Sequence, residues 1–254
     1  MLICPNEQPL LACEGIYQSY GGELILQDIE VALYAGETVC ILGASGVGKT
    51  TLFNILSGLE RPDNGRVLLW GEDITGKPGK LAYMQQKDLL LPFRTIIDNV
   101  ATPLVLKGSK KKAARLQAAA YFEEFGLTGC EHKYPSQLSG GMRQRAALLR
   151  SYLFNDQIML MDEAFSALDA LTKKTMHGWF RQISNHHHTS AFLVTHDIDE
   201  AIMLADRIYI ITGSPGRISA QIKIAYEGSR NEFFSTTVAY INFKKQILSA
   251  LEQE

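Results

Sequence analysis

The stretch Gly43-Ala44-Ser45-Gly46-Val47-Gly48-Lys49-Thr50 decides how the rest of this chain is read. It matches the phosphate-binding pattern G-x-x-x-x-G-K-[ST] without a departure. Glycine carries no Cβ, so the backbone can turn tightly and aim its N–H groups inward at an anion. A helix beginning near Lys49 adds the positive end of its dipole and further free donors. In such a loop Lys49 sits on the β- and γ-phosphates, and the Thr50 hydroxyl completes a Mg²⁺ shell. The flanks agree. Thr38-Val39-Cys40-Ile41-Leu42 is short, β-branched and apolar, the pattern of a buried parallel strand. After the loop, Leu52, Ile55 and Leu56 are spaced helically and the run stops at Gly58. The competing reading, a glycine-rich turn of purely structural use, does not account for this strand–loop–helix setting.

Composition sets the frame around the motif. The chain has 254 residues, 46% hydrophobic and 20% charged, enough for one large α/β domain or a domain carrying an inserted subdomain. A net charge of −2 leaves no electrostatic footprint for nucleic acid. The four cysteines, Cys4, Cys13, Cys40 and Cys130, form no C-x-x-C pair and read as reduced thiols. No window has the length and apolarity of a membrane span. Leu10-Leu11-Ala12-Cys13 faintly resembles a lipid-attachment site, but no Lys or Arg precedes it and Pro5-Asn6-Glu7-Gln8-Pro9 breaks any apolar region. A chain soluble by itself is expected.

Residues 10–20 and 23–33 read as paired strands around Gly21-Gly22. Tyr20 is either a ring that stacks on a purine base or a strand-end tyrosine at the sheet edge, and Tyr17 is a weaker candidate for the same role. Strands are expected at residues 66–70, after the turn Pro62-Asp63-Asn64-Gly65, and at 81–85, before Gln86. The apolar segment 89–93, which Pro92 keeps from becoming a long helix, is either core packing or a surface meant for a partner. Ser109 is placed to cap a helix running to Phe125 and stopped by Gly126. The Lys110-Lys111-Lys112 run at its start reads as a solvated face.

Leu138-Ser139-Gly140-Gly141-Met142 opens a helix to about Phe154. Ser139 there is either a second anion-binding device or an ordinary N-cap. Ile158-Met159-Leu160-Met161 is a buried strand ending in Asp162-Glu163, a carboxylate pair where open α/β sheets bind ligands. Asp162 can hold Mg²⁺ and Glu163 can polarise an attacking water. The strand 191–195 ends in His196-Asp197. His196 can hydrogen-bond a phosphate oxygen, while Asp197 caps a helix to Leu204 with Glu200 completing a capping box. Asn185-His186-His187-His188 reads as a solvated loop without a metal, since neither cysteines nor spaced carboxylates accompany it. Residues 231–254 pattern as an amphipathic helix that packs back or meets a partner.

Taken together, the phosphate loop, Gln86, Leu138-Ser139-Gly140-Gly141, Asp162-Glu163, Ser166-Ala167-Leu168-Asp169 and Thr195-His196-Asp197 resemble the ATPase subunit of an ATP-binding cassette (ABC) transporter. The resemblance spans residues 10–224. It implies an α/β fold: a phosphate-loop NTPase core of mainly parallel sheet, an N-terminal antiparallel β subdomain and an inserted helical subdomain. The whole chain would be one ABC ATPase domain. Residues 10–85 and 155–224 would form the core with its β subdomain, about 87–154 the helical signature subdomain, and 225–254 a C-terminal amphipathic helix.

Carried onto this sequence, the resemblance implies ATP contacts from Gly43 through Ala44, Ser45, Gly46, Val47, Gly48, Lys49 and Thr50 to Thr51, with Tyr20 stacking on adenine. Glu163 would be the general base, His196 would hold the γ-phosphate, and Gln86 would link the Mg²⁺ site, shared with Thr50 and Asp162, to a transmembrane partner. Ser139, Gly140, Gly141 and Met142 would act on ATP held by the opposite copy, and Asp169 would align the two sites. Met142 departs from the Gln most common in the signature, though Met is also familiar among import ATPases. The stretches 83–94 and Ser214-Pro215-Gly216-Arg217-Ile218 resemble the nitrate, sulfonate, taurine and pyrimidine-precursor importers, with Phe93 where a Trp is usual.

The implied protein is an ATP-hydrolysing homodimer, peripheral on the cytoplasmic face of the cell's inner membrane. It would couple to permease subunits and, through them, to an extracytoplasmic solute-binding protein, without nucleic acid. The alternatives are a soluble ABC ATPase of DNA repair or translation, which usually carries two cassettes or long inserts, and a nucleotide-binding regulator that does not hydrolyse. Intact Glu163 and His196 speak against the latter.

Overall fold

Alternating side chains on either side of Gly21 and Gly22 close a hairpin. In the computed structural model, which describes residues 8–226, 228, 230–231 and 233–252, it is built of β1 (Leu11–Tyr20) and β2 (Glu23–Leu33). Cys4, the Pro5-Asn6-Glu7 stretch and Glu254 lie outside the described residues. β3 (Thr38–Leu42) leads through the phosphate loop into α1 (Lys49–Leu56). β4 (Asn64–Leu69) and β5 (Glu72–Asp73) complete an antiparallel sheet of order β2-β1-β4-β5. After β6 (Ala82–Met84) come three helices, α2 (Ile96–Leu106), α3 (Lys111–Ala119) and α4 (Gly140–Phe154). β7 (Ile158–Asp162), α5 (Ala170–His187), β8 (Ser190–Thr195), α6 (Ile198–Leu204) and β9 (Arg207–Thr212) follow, then β10 (Arg217–Lys223) and α7 (Val238–Leu251).

The second sheet has the order β10-β9-β3-β8-β7-β6, parallel throughout except for β10 against β9. Its central strands are buried on both faces, and the two-residue period sorts them into two cores. Val39 and Ile41 of β3, Leu160 of β7, and Phe192 and Val194 of β8 pack with α1 and the antiparallel sheet. Cys40, Leu42, Met159, Met161 and Leu193 face the helices instead, among Ile97, Val100, Leu148 and Phe180. A ring as completely buried as Phe192 costs about 3–5 kcal/mol when cut to alanine. The result is the expected α/β architecture: a mainly parallel core, an antiparallel β layer and an inserted set of helices.

Several local expectations differ. α3 stops at Ala119 instead of Phe125, and the N-cap position is Lys110, not Ser109. Beyond Ala119 the chain tightens, with the N–H groups of Tyr121 and Phe122 bonding three residues back to Ala118 and Ala119. This turns Tyr121 and Phe125 onto Tyr152, and Phe125 onto Trp179. The lysine run is not wholly solvated, since Asp98 of α2 receives Lys111 at 3.5 Å and Arg115 at 2.7 Å. The expected loop 185–188 is the last turn of α5, ended by His188 in the left-handed conformation. Asp197 caps α6 through the N–H groups of Asp199 and Glu200. Glu200, however, turns inward to the Thr195 hydroxyl at 2.5 Å instead of completing a capping box.

The C-terminal helix begins only at Val238, capped by Thr237, and Phe234 is buried in a 3₁₀ turn before it. α7 packs back on α6, β9 and β10, and Tyr240 and Lys244 both reach Asp199. Among the described residues, no helix is long and apolar enough to cross a membrane.

Candidate active site

Strand order gathers what the sequence scatters. The neighbours β3, β8, β7 and β6 present, at their C-terminal ends, the phosphate loop, His196, Asp162-Glu163 and Gln86. The loop's backbone admits little but glycine at two points. A Cβ on Gly43 would lie 2.4 Å from the Ile211 carbonyl oxygen; Gly48 has φ +101°, and its Cβ would meet Leu26 at 2.6 Å. Gly48 provides no side-chain cap for α1, and the first turn holds no acid. The leading N–H groups of that helix are thereby left for an anion.

Lys49 is only 6% exposed, and its Nζ donates to the carbonyls of Gly43 at 2.9 Å and Ala44 at 2.7 Å. Burial draws its pKa down, against the pull of Glu163 and Asp162. Asp162 is buried too; it accepts from the Thr50 hydroxyl at 3.1 Å and the Tyr83 hydroxyl at 3.3 Å. Burial pushes its carboxyl up, while the Thr50 and Tyr83 bonds favour the anion. Thr50, Asp162 and Gln86 thus offer hydroxyl, carboxylate and amide oxygens, a hard donor set suited to Mg²⁺.

Glu163 has φ +47°, a conformation that costs a non-glycine residue about 1–3 kcal/mol. It is held by its N–H on the Val194 carbonyl at 2.9 Å and by the Ser166 hydroxyl on its own carbonyl at 2.9 Å. The carboxylate so aimed meets His196 Nδ1 at 2.9 Å and Gln86 Nε2 at 3.4 Å, and Gln86 also donates to Ser166 at 3.2 Å. The Asp197 N–H donates to the Thr195 hydroxyl at 3.0 Å, and Lys173 pairs with Asp197 at 3.1 Å. His196 therefore stands between residues fixed from behind, with its own side chain half exposed.

Ser139 caps α4, accepting from the Met142 N–H at 3.3 Å. Asp169 caps α5, accepting from the Thr172 N–H at 3.0 Å, and these bonds hold its carboxyl below its usual value. The two helix starts touch: a Cβ on Gly141 would lie 2.9 Å from the Thr172 methyl. Gln144, one turn into α4, donates to the Ala164 carbonyl beside Glu163. Among the described residues, no hydrogen bond joins Ser139, Gly140 or Gly141 to the phosphate loop. Tyr20 remains 46% exposed, and its hydroxyl donates to Glu60.

Between Gln86 and α2 runs the apolar segment that the sequence left open as core or surface. It is both: Leu90 is buried, whereas Leu89 is 52% and Phe93 73% exposed. Asn99 of α2 locks it, accepting from the Leu91 N–H at 2.6 Å and donating to the carbonyls of Leu91, Arg94 and Thr95 at 3.1 Å. Arg150 of α4 donates to the carbonyls of Leu89 and Asp88 from the other side. Sequence reasoning missed Tyr83, Asn99, Arg150 and Lys173. For Tyr83 a signal was present: alternation in residues 81–85 puts it on the opposite face from Ala82 and Met84. Asn99 and Arg150 gave none, because their partners are backbone carbonyls of a loop.

The model of the ABC transporter family matches residues 26–166. The formylaminopyrimidine import ATP-binding protein ThiZ of Halalkalibacterium halodurans is 43% identical over 81% of this chain and 81% of its own length. The taurine import ATP-binding protein TauB of Escherichia coli is 33% identical over 96% of this chain and 98% of its own. The nitrate import ATP-binding protein NrtD of Synechocystis is 36% identical over 82% and 78%. The solved dimeric structure of MJ0796, a bacterial ABC transporter cassette, superposes with a TM-score of 0.72 at 26% identity, covering 85% of this chain and 99% of that one. The chain belongs to the ABC transporter family and is an ABC ATPase. Its nucleotide is ATP.

Proposed function

We propose that this chain is the ATP-binding and hydrolysing subunit of a membrane importer for a small solute of the nitrate, sulfonate, taurine or pyrimidine-precursor kind. One observation carries the reading. The hydrogen-bonded array His196–Glu163–Gln86 at the sheet's edge is continuous, through Gln86, with an exposed apolar loop held rigid by Asn99 and Arg150. In this mechanism the phosphate loop from Gly43 to Thr51 wraps the phosphates. Lys49 exchanges its two loop carbonyls for β- and γ-phosphate oxygens, and Tyr20 stacks on the base. Glu163 accepts a proton from the attacking water, and His196 holds the γ-phosphate in place. Thr50, Asp162 and Gln86 would hold Mg²⁺, which would supply positive charge beside the phosphates.

Among the described residues Ser139, Gly140, Gly141 and Met142 make no hydrogen bond to this chain's own phosphate loop; they serve the ATP of a second copy, with Asp169 at the seam. Relatives named as import subunits and dimeric cassettes among the solved structures support a homodimer working beneath permease subunits. A solute-binding protein would act on the far side of the membrane, and no nucleic acid partner is called for. Leu89 and Phe93 are the contacts offered to the permease, which fits a peripheral place on the cytoplasmic face of the inner membrane better than a role in DNA repair or translation. Phe93→Asp should abolish co-purification of the permease while leaving the basal ATPase rate of the isolated protein within about twofold. Undiminished recovery of the permease with that variant would overturn the docking assignment.

A further inference from the structure

The far end of α5 gathers groups that ATP hydrolysis does not use. Glu124, in the tightened turn after α3, comes to His186 and His187 in the last turn of α5, and their ligand atoms all lie within 4.8 Å of one another. Both imidazoles address the same carboxylate oxygen: His187 Nε2 lies 2.7 Å and His186 Nε2 3.9 Å from Glu124 Oε1. Ligands about 2.0–2.1 Å from a tetrahedral metal stand about 3.3 Å apart, so this set brackets the required spacing.

The surroundings fix two of the three groups. His187 is largely buried, its ring against Tyr152 at 4.9 Å and Tyr121 at 6.3 Å, and its Nδ1 lies 3.1 Å from the Tyr152 hydroxyl. An imidazole whose second nitrogen is held by a neighbour presents the first in one orientation, as ligating histidines do. Trp179 donates to the Glu124 carbonyl at 3.3 Å and anchors the carboxylate's backbone. His186 is 73% exposed and free to swing the remaining distance, leaving a fourth position open to water.

We propose that Glu124, His186 and His187 form a binding site for a borderline divalent transition metal such as Zn²⁺, clipping the turn after α3 to the end of α5. Two imidazoles and one carboxylate suit Zn²⁺ better than Mg²⁺ or Ca²⁺, which take all-oxygen shells. On binding, His187 takes the Nδ1–H tautomer, donating to the Tyr152 hydroxyl, and presents its Nε2 lone pair and the Glu124 carboxylate to the metal.

Untagged full-length protein carrying Cys4→Ser, to remove a competing thiol, is titrated with Zn²⁺ alone by calorimetry and followed by thermal unfolding. One Zn²⁺ per chain is expected, with a rise in unfolding temperature that a chelator reverses. His186→Ala, at an exposed position, and Glu124→Gln should each weaken binding about tenfold or more and remove the thermal shift. Absence of Zn²⁺ binding, or undiminished affinity in either variant, would overturn the site.

Discussion

The phosphate loop and the signature turn are both glycine-rich helix starts, yet they are finished to different degrees. Around Lys49, the chain supplies every neighbour: Asp162 for Thr50, Tyr83 for Asp162, His196 and Gln86 for Glu163. Around Ser139 it supplies only an N-cap bond within the same helix and a close contact with the start of α5. The first region is assembled before any ligand arrives. The second is oriented by a cap bond within its own helix and a close approach to α5, which supports the proposal that it completes a site on another copy.

That contrast can be broken at either half. Glu163→Gln removes the proposed base from the finished half and should cut phosphate release by about 10²-fold or more while nucleotide affinity persists. Near-normal turnover would remove Glu163 from the mechanism. On the proposed reading Ser139→Ala deletes one hydrogen bond to the γ-phosphate held by a second copy, and about 10–100-fold slower hydrolysis is expected with ATP binding by the isolated chain unaltered. If ATP binding fell in step with hydrolysis, Ser139 would belong to its own chain's pocket and the contrast would collapse. The smallest effect concerns the strut between the halves. Asn99→Ala leaves the Leu91 N–H and three carbonyls without their partner and should lower unfolding stability by about 1–3 kcal/mol in denaturant titration. An unchanged midpoint would mean that Arg150 alone holds the loop.

Much of the fold was legible because its signals are local. β2 and β3 fall where alternation and apolar runs place them, and α4 starts at the glycines after Ser139. The misses share a cause. The helix expected to reach Phe125 ends at Ala119 because Tyr121 and Phe125 gain more by turning into the Tyr152 and Trp179 rings than by prolonging a helix. Glu200 is spaced for a capping box but is drawn inward to Thr195. The histidines at 186–188 read as a bare loop because their carboxylate, Glu124, is distant in sequence.

The amino-acid sequence by itself determined the pieces whose function resides in consecutive residues: the phosphate loop, the signature turn, and the acid and histidine that end two buried strands. A phosphate cradle is made of backbone N–H groups from one short stretch, so its chemistry is written contiguously. Only the tertiary structure decided that β6, β7 and β8 lie side by side, so that Gln86, Glu163 and His196 hydrogen-bond across three strand ends. Pairing between parallel strands is settled by burial of both sheet faces over long sequence separations, and no local pattern records which strand edges will meet.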